Sequence, residues 1–281
     1  MITRWLSIPL AIIAAYGLYD TWKTGDNNLA YLLPAVLLLA IIWVMGPQIN
    51  FWWSQRNTPK LEPPAVKFLE QYSTFYQSLT EEQQQTFRDR VVLIRMAKDF
   101  KSQAKDDMPE EVRIAFSASL AQLTFGQEDF LLPQYETVVI YPAPFPSPAY
   151  PKDFHASETF DEDGVFLFAA QQFLNGFTNP RSYYQICLHE LAVGYTRVTS
   201  DRPWPEVSED LWPQLTQISG FSREQIEQWI NRPDVELLAV AIVHYLVFPK
   251  AFLEQLPELY GQLRACFDTI GTGGNEENGG T

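Results

Sequence analysis

The chain has 281 residues, 46% of them hydrophobic and 14% aromatic, and a formal net charge of -14. That apolar content is enough for a packed core and excludes a globally disordered chain, and the acidic balance excludes a nucleic-acid binder, because phosphate backbones demand a basic surface. Its two cysteines, Cys187 and Cys266, form no CxxC pair, which excludes a cysteine-rich zinc ribbon and reads as two buried thiols in a reducing compartment.

In chain order, the first predicted feature is a two-helix transmembrane hairpin over residues 1–56, with arms at about 5–20 and 29–46. No charged residue occurs between Asp26 and Arg56. At about 1.5 Å per residue the second arm, LAYLLPAVLLLAIIWVMG, rises about 27 Å, close to the hydrocarbon thickness. The first arm, around WLSIPLAIIAAYGLY, is shorter and weaker, and its place just ahead of a second apolar run makes it a hairpin arm rather than a cleaved leader. Arg4 precedes the first arm, Arg56 and Lys60 follow the second, and the linker between them is acidic. The positive-inside rule then places both ends in the cytoplasm, which predicts a multi-pass protein of the inner or plasma membrane with a cytoplasmic soluble domain. Trp43, Trp52 and Trp53 suit an interfacial aromatic belt. The competing reading is a hairpin buried in a soluble core.

Residues 57–64 (NTPKLEPP) are a Pro-rich linker, and residues 65–270 are a soluble domain. Phe68, Leu69, Tyr72, Phe75, Tyr76 and Leu79 follow helical spacing. Thr80 and Gln83 form a capping box that opens a helix through Phe100. Pro109 opens another through Leu123. Residues 137–141 (TVVIY) and 164–169 (GVFLFA) read as strands, separated by the Pro-rich segment PAPFPSPAYPKD and the loop that carries His155. Helices are predicted at about 181–199, 207–218, 222–230, 233–248 and 250–268, and residues 271–281 as a disordered tail. The fold class is α+β and mostly helical, with a small sheet.

Three features carry potential chemistry. The first is His189-Glu190 inside a helix, with His189 off the apolar stripe of Tyr184, Leu188, Leu191, Tyr195 and Val198. A helix that presents His at i and i+4, with Glu at i+1, holds a metal with two rings and supplies a general base. Here the i+4 position is Val193, which cannot ligate a metal, and a bare His-Glu pair fits a buried structural pair equally well. The second is Glu236, a carboxylate opening an apolar helix. Such a group is paired, protonated or metal-bound, or it simply occupies a first helical turn marked by Pro233 and Asp234. The third is the strand ending Tyr141-Pro142. His244 lies on the same helix as Glu236, about 12 Å further along the axis and about 80° round it, so the two do not converge on one ion. His155 reads as a solvent-exposed loop residue. Tyr195 and Asp201 are oxygen donors of the same low specificity.

The order of these pieces is more specific than any one of them. ETVVIYPAPF at 136–145, FLNGFTNP at 173–180, LHELA at 188–192, VELLAVAIVHY at 235–245 and PKAFLEQLPELYGQL at 249–263 resemble the Mlc titration factor A family of zinc-dependent peptidases over residues 65–270. The N-terminal hairpin lies outside the resemblance. The resemblance implies a zincin-like domain whose zinc is held by HExxH and a downstream Glu. Carried over, His189 is the first ligand, Glu190 the general base and Glu236 the third ligand. Val193 stands where the second His belongs, and a further family Glu falls near Val243, beside His244. The motif is therefore degenerate. It implies either a catalytically impaired domain that binds a cytoplasmic protein or peptide, as the member that names the family binds a repressor, or an active peptidase with an altered ligand set. Tyr141 and Tyr195 are candidate cleft residues.

Overall fold

The computed structural model describes residues 2–24, 29–104, 108–232 and 235–267, and divides into two compact units, Met1–Pro59 and Lys60–Thr281. The expected tail at 271–281, the linker residues 25–28 and the turn residues Pro233 and Asp234 lie outside the described residues.

The first unit contains α1 (Ile2–Thr24), α2 (Leu29–Val44) and α3 (Gly46–Arg56). Small residues let α1 and α2 approach closely: Ala14 and Ala35 are buried, and a Cβ on Gly17 would meet Leu32 Cβ at 3.4 Å. Among the described residues, α1 alone and α2 together with α3 are candidate membrane spans. α1 runs 23 residues, well past the expected 5–20, and is the one described helix long and apolar enough on its own to cross a membrane. The second arm stops as a helix of 16 residues at Val44, and the chain bends by 68° into α3.

In the second unit, α4 (Pro63–Tyr72) and α5 (Thr74–Ser78) replace the single helix suggested by the apolar spacing. The break is at Ser73, whose hydroxyl accepts from the Tyr76 amide at 3.2 Å and caps α5. Thr80 and Gln83 form both bonds of the expected capping box at the start of α6 (Glu81–Ala97). Asp99 and Phe100, read as the end of that helix, instead begin strand β1 (Asp99–Ser102), followed by α7 (Glu110–Leu123). The sheet is completed by β2 (Thr137–Tyr141), β3 (Ser157–Phe160) and β4 (Val165–Ala169) in the order β1-β2-β4-β3. β2 is parallel to β1 and β4, and β3 runs antiparallel along the β4 edge. The β3–β4 turn closes at Gly164, where φ is +62° and a Cβ would lie 2.2 Å from the Gln134 carbonyl oxygen, so only glycine fits.

The remainder is helical: α8 (Ala170–Thr178), α9 (Ile186–Val198), α10 (Trp212–Ser219), α11 (Arg223–Ile230), α12 (Leu237–Val247), α13 (Pro249–Gln255) and α14 (Pro257–Phe267). The predicted helix at 250–268 is cut at Leu256, because Pro257 can start a helix but not continue one. Phe116, Phe166, Phe168 and Phe173 are fully buried and join α7, β4 and α8 into one core, with Phe116 and Phe166 ring centroids 5.9 Å apart. The result is the α+β, mostly helical class with a small sheet.

Candidate functional site

Helix α9 lies against the same sheet face. A Cβ on Gly194 would come within 3.0 Å of the Phe166 and Tyr135 rings, so glycine there permits the close approach. Every residue from Ile186 to Tyr195 is buried, charged ones included. The helix begins later than the expected 181, so Tyr184 lies before it rather than on its apolar stripe.

Glu190 is fully buried. Along β3 alternate residues share a face, and Ser157 and Thr159 pair with Phe168 and Phe166 of β4, which puts their hydroxyls on the core side. Ser157 Oγ donates to one Glu190 carboxylate oxygen at 2.8 Å, and Thr159 Oγ1 to the other at 2.7 Å. Arg232 Nη1 lies 3.5 Å from the first oxygen and also donates to the Ser157 carbonyl at 3.2 Å. Arg232 follows Asn231, which ends α11 in the left-handed conformation that asparagine tolerates. Both oxygens of Glu190 are thus engaged by this chain's own donors. Chemically the group is placed to bind β3 to α9. A general base instead needs an oxygen within hydrogen-bond reach of a substrate or water proton.

The other face of β3 carries a second buried acid, Glu158. His155 Nε2 lies 3.0 Å from it, and the other imidazole nitrogen lies 3.1 Å from the Asp153 carbonyl. Burial pushes the Glu158 carboxyl up, but hydrogen bonds from His155 and Ser147, with the charge of Arg232, leave it below the ordinary carboxylate value. His155 is therefore not the exposed loop residue the sequence suggested. It is fully buried, in an antiparallel bridge with Phe145, because its segment folds in as the approach to an edge strand.

His189 is also fully buried, and Tyr184 Oη lies 2.9 Å from its Nδ1. Burial, and then the charge of Glu190, holds the Tyr184 phenol well above its ordinary value, so it stays protonated. The Tyr184 ring also neighbours His244, with centroids 6.4 Å apart against 5.7 Å for His189. The Tyr184 phenol thus adjoins both imidazoles. His244 Nδ1 bonds the Val240 carbonyl at 2.7 Å and Nε2 meets Ser219 Oγ at 2.8 Å. Burial lowers its pKa to about 4, so the ring is neutral at pH 7.

Glu236 is placed elsewhere. It caps the start of α12 without a side-chain capping bond, and its carboxylate, 40% exposed, is bound by Arg197. Arg197 also reaches Asp161 at 2.5 Å, and Tyr135 Oη donates to Asp161 at 2.5 Å. The Arg197 backbone lies eight residues beyond His189, about 12 Å along the α9 axis and about 80° round it. The Glu236 carboxylate, carried over as the third metal ligand, is thus held by Arg197. Val193 is buried among apolar neighbours, as is Val243. The two candidate cleft tyrosines pack inward or sideways. Tyr195 is buried, with its ring 5.8 Å from Phe267, which corrects its assignment to a cleft, and Tyr141 stacks on Phe145 at 4.1 Å. Asp201 is exposed in the turn after α9.

Among the described residues, no group of three or more His, Cys, Asp or Glu side chains is gathered to hold a metal ion. A catalytic zinc takes three protein ligands at about 2.0–2.3 Å. With valine in one ligand position and Glu236 drawn to Arg197, the residues present do not fit that ion. Sequence reasoning missed Ser157, Thr159, Glu158, Arg197, Arg232 and Tyr184. The hydroxyls alternating at 157 and 159 were the available signal, since that spacing marks one face of a strand.

Elsewhere, a groove of about 500 Å³ runs between the segment preceding α10 and the α13–α14 junction. Leu211, Leu256 and Leu259 contribute apolar lining, and Glu206, Asp210 and Glu258 line it with no Lys or Arg among the lining residues.

The profile of the glucose-regulated metallo-peptidase M90 family matches residues 50–193, just over half of the chain. The match takes in His189, Glu190 and Val193 and ends before Glu236. No curated protein matches the chain.

Proposed function

The chain belongs to the glucose-regulated metallo-peptidase M90 family, and from that membership we propose a membrane-anchored, catalytically silent relative of those peptidases that binds a protein or peptide. The observation that carries the proposal is the fate of the motif's polar groups. Glu190 is consumed by Ser157, Thr159 and Arg232, Glu236 by Arg197, and the second ligand position is a buried valine. Anchoring is supported by α1, whose length and hydropathy suit a membrane span. A partner with a basic segment is supported by the groove that carries Glu206, Asp210 and Glu258, because complementary charge speeds docking and fixes its register. The partner is expected on the cytoplasmic side, an orientation that the basic residues flanking the hairpin support.

Metal content tests the reading. The full chain, purified in detergent without chelator and supplied with zinc, is expected to hold far less than one zinc per chain and to cleave no peptide. Zinc near one per chain that is lost in His189→Ala, together with peptide cleavage abolished by Glu190→Gln, would establish an active peptidase with an altered ligand set instead.

A further inference from the structure

The bend between α2 and α3 has a location as well as an angle. Gly46, the first residue of α3, lies beside Thr3: a Cβ on Gly46 would stand 3.9 Å from Thr3 Cγ2. One turn later Asn50 closes a polar clasp on the same residue. Its Oδ1 accepts from the Thr3 amide and hydroxyl at 3.2 Å each, and its Nδ2 donates to Thr3 Oγ1 at 3.0 Å. Thr3 is in the first turn of α1. α2 therefore returns to the level at which α1 begins, and the chain then turns by 68°. A straight continuation would have carried α3 beyond the end of α1. The bend and the clasp lay it across that end.

The faces of α3 are sorted accordingly. At about 100° per residue, Gly46, Asn50 and Ser54 share one side, and Ile49, Trp52, Trp53 and Arg56 share another. Gly46 and Ser54 are buried, while Trp52 is 51% and Trp53 42% exposed. The Arg56 guanidinium stacks on Trp52, 3.8 Å from the ring centroid. Indole rings beside a guanidinium suit the headgroup boundary of a bilayer, where one end of the pair is apolar and the other is wet. α1 and α2 also carry exposed apolar side chains, among them Ile8, Ile12, Leu37 and Ile41.

We propose that α3 is an interfacial helix, not the second half of a broken span. It lies along the membrane face at which α1 starts, with Ile49, Trp52 and Trp53 seated at the acyl boundary and Arg56 reaching the lipid phosphates. It is an interfacial element, anchored by its indole rings and Arg56, built onto a short helical hairpin. This inference rests on the membrane-anchor reading, and the experiment separates the two.

The full chain is reconstituted in vesicles of phosphatidylcholine and phosphatidylglycerol. Nitroxide labels are attached one at a time at Ile12→Cys, Gln48→Cys, Ile49→Cys, Trp52→Cys, Trp53→Cys and Gln55→Cys. The native thiols of Cys187 and Cys266 are buried, so the introduced site takes the label. Depth is read from collision with oxygen, which partitions into acyl chains, against a water-soluble nickel chelate. The expected result is a deep label at Ile12. Across 48–55, shallow labels should rise and fall with the helical period, Ile49, Trp52 and Trp53 lipid-facing and Gln48 and Gln55 water-facing. A deep Ile12 with depth changing steadily from 48 to 55 would mean that α3 crosses the membrane. A deep Ile12 with chelate-accessible labels at every α3 position would mean that α3 leaves the bilayer. Either outcome overturns the inference alone. A chelate-accessible Ile12 overturns the anchor reading and the inference with it.

Discussion

Glu190 separates a structural carboxylate from a catalytic one by the sign of a stability change. In Glu190→Gln the side chain keeps its shape and loses its charge. One oxygen can still accept from Ser157 or Thr159, the new amide can bond the other hydroxyl only if that hydroxyl turns to accept, and Arg232 loses its nearest anion. A hydrogen bond to a charged group contributes about 1.5–3 kcal/mol. Stripping one partner from a buried pair costs about 3–5 kcal/mol, because the other charge stays buried. Arg232 stands at 3.5 Å and also feels Glu158, which places the loss at the lower end, about 2–3 kcal/mol. Glu190→Ala adds a cavity under β3 and should cost more, about 3–5 kcal/mol. The assay is urea unfolding of the full chain in detergent, followed by tryptophan fluorescence, to which Trp204, Trp212 and Trp229 contribute from the second unit. Both variants should show a lower midpoint with an unchanged slope. A carboxylate held in a cleft for catalysis behaves in the opposite way, since such groups are commonly kept at a cost in stability. Unchanged or raised midpoints in both variants would refute the structural assignment of Glu190.

Two further predictions concern the imidazoles. Val193→His places a larger polar ring in a buried apolar site and should cost about 1–3 kcal/mol. It should not bring zinc to one per chain while Arg197 holds Glu236, as metal analysis beside a thermal melt will show. His244 has a folded pKa of about 4 against an ordinary value of 6.5, so between these values the unfolded chain binds the proton that the folded chain refuses. Its contribution is fully present above pH 6.5 and lost as pH falls towards 4, by at most about 3 kcal/mol. The difference in unfolding free energy between the native chain and His244→Gln, measured over that range, should carry this slope, and a difference that does not change with pH would refute it.

Much of the fold is legible in the sequence wherever one local signal is enough. The Thr80–Gln83 capping box, Pro109 ahead of α7 and the β-branched run of β2 each specify their element from adjacent residues. What is missed needs information from a distance. β1 and β3 are four residues each, and the polar side chains of Asp99, Lys101, Ser157 and Glu158 hide them from an apolar pattern. They become strands only because β2 and β4 offer their backbones. The breaks at Ser73 and Leu256 fall inside apolar spacing that continues across them, so periodicity alone joins what a cap or a proline divides.

The site divides in the same way. Helix α9 keeps the positions of His189, Glu190 and Val193 because they are three residues of one helix, and spacing along a helix is visible in sequence. The partners that decide what those positions do are 31 to 42 residues away for Glu190, on β3 and after α11. A metal at this place would link α9 to the start of α12 through ligands from both. Here Arg197 makes that link to Glu236, and Glu190 ties α9 instead to Ser157 and Thr159 of β3 and to Arg232. The guanidinium at each link supplies the positive charge that a buried or clustered carboxylate requires. On the proposed reading, the substitution at 193 is therefore not an isolated loss from an otherwise intact centre. Restoring one histidine leaves both arginines in place, so recovery of a zinc site would require the carboxylate of Glu236 to leave Arg197 before any ion could join the two helices.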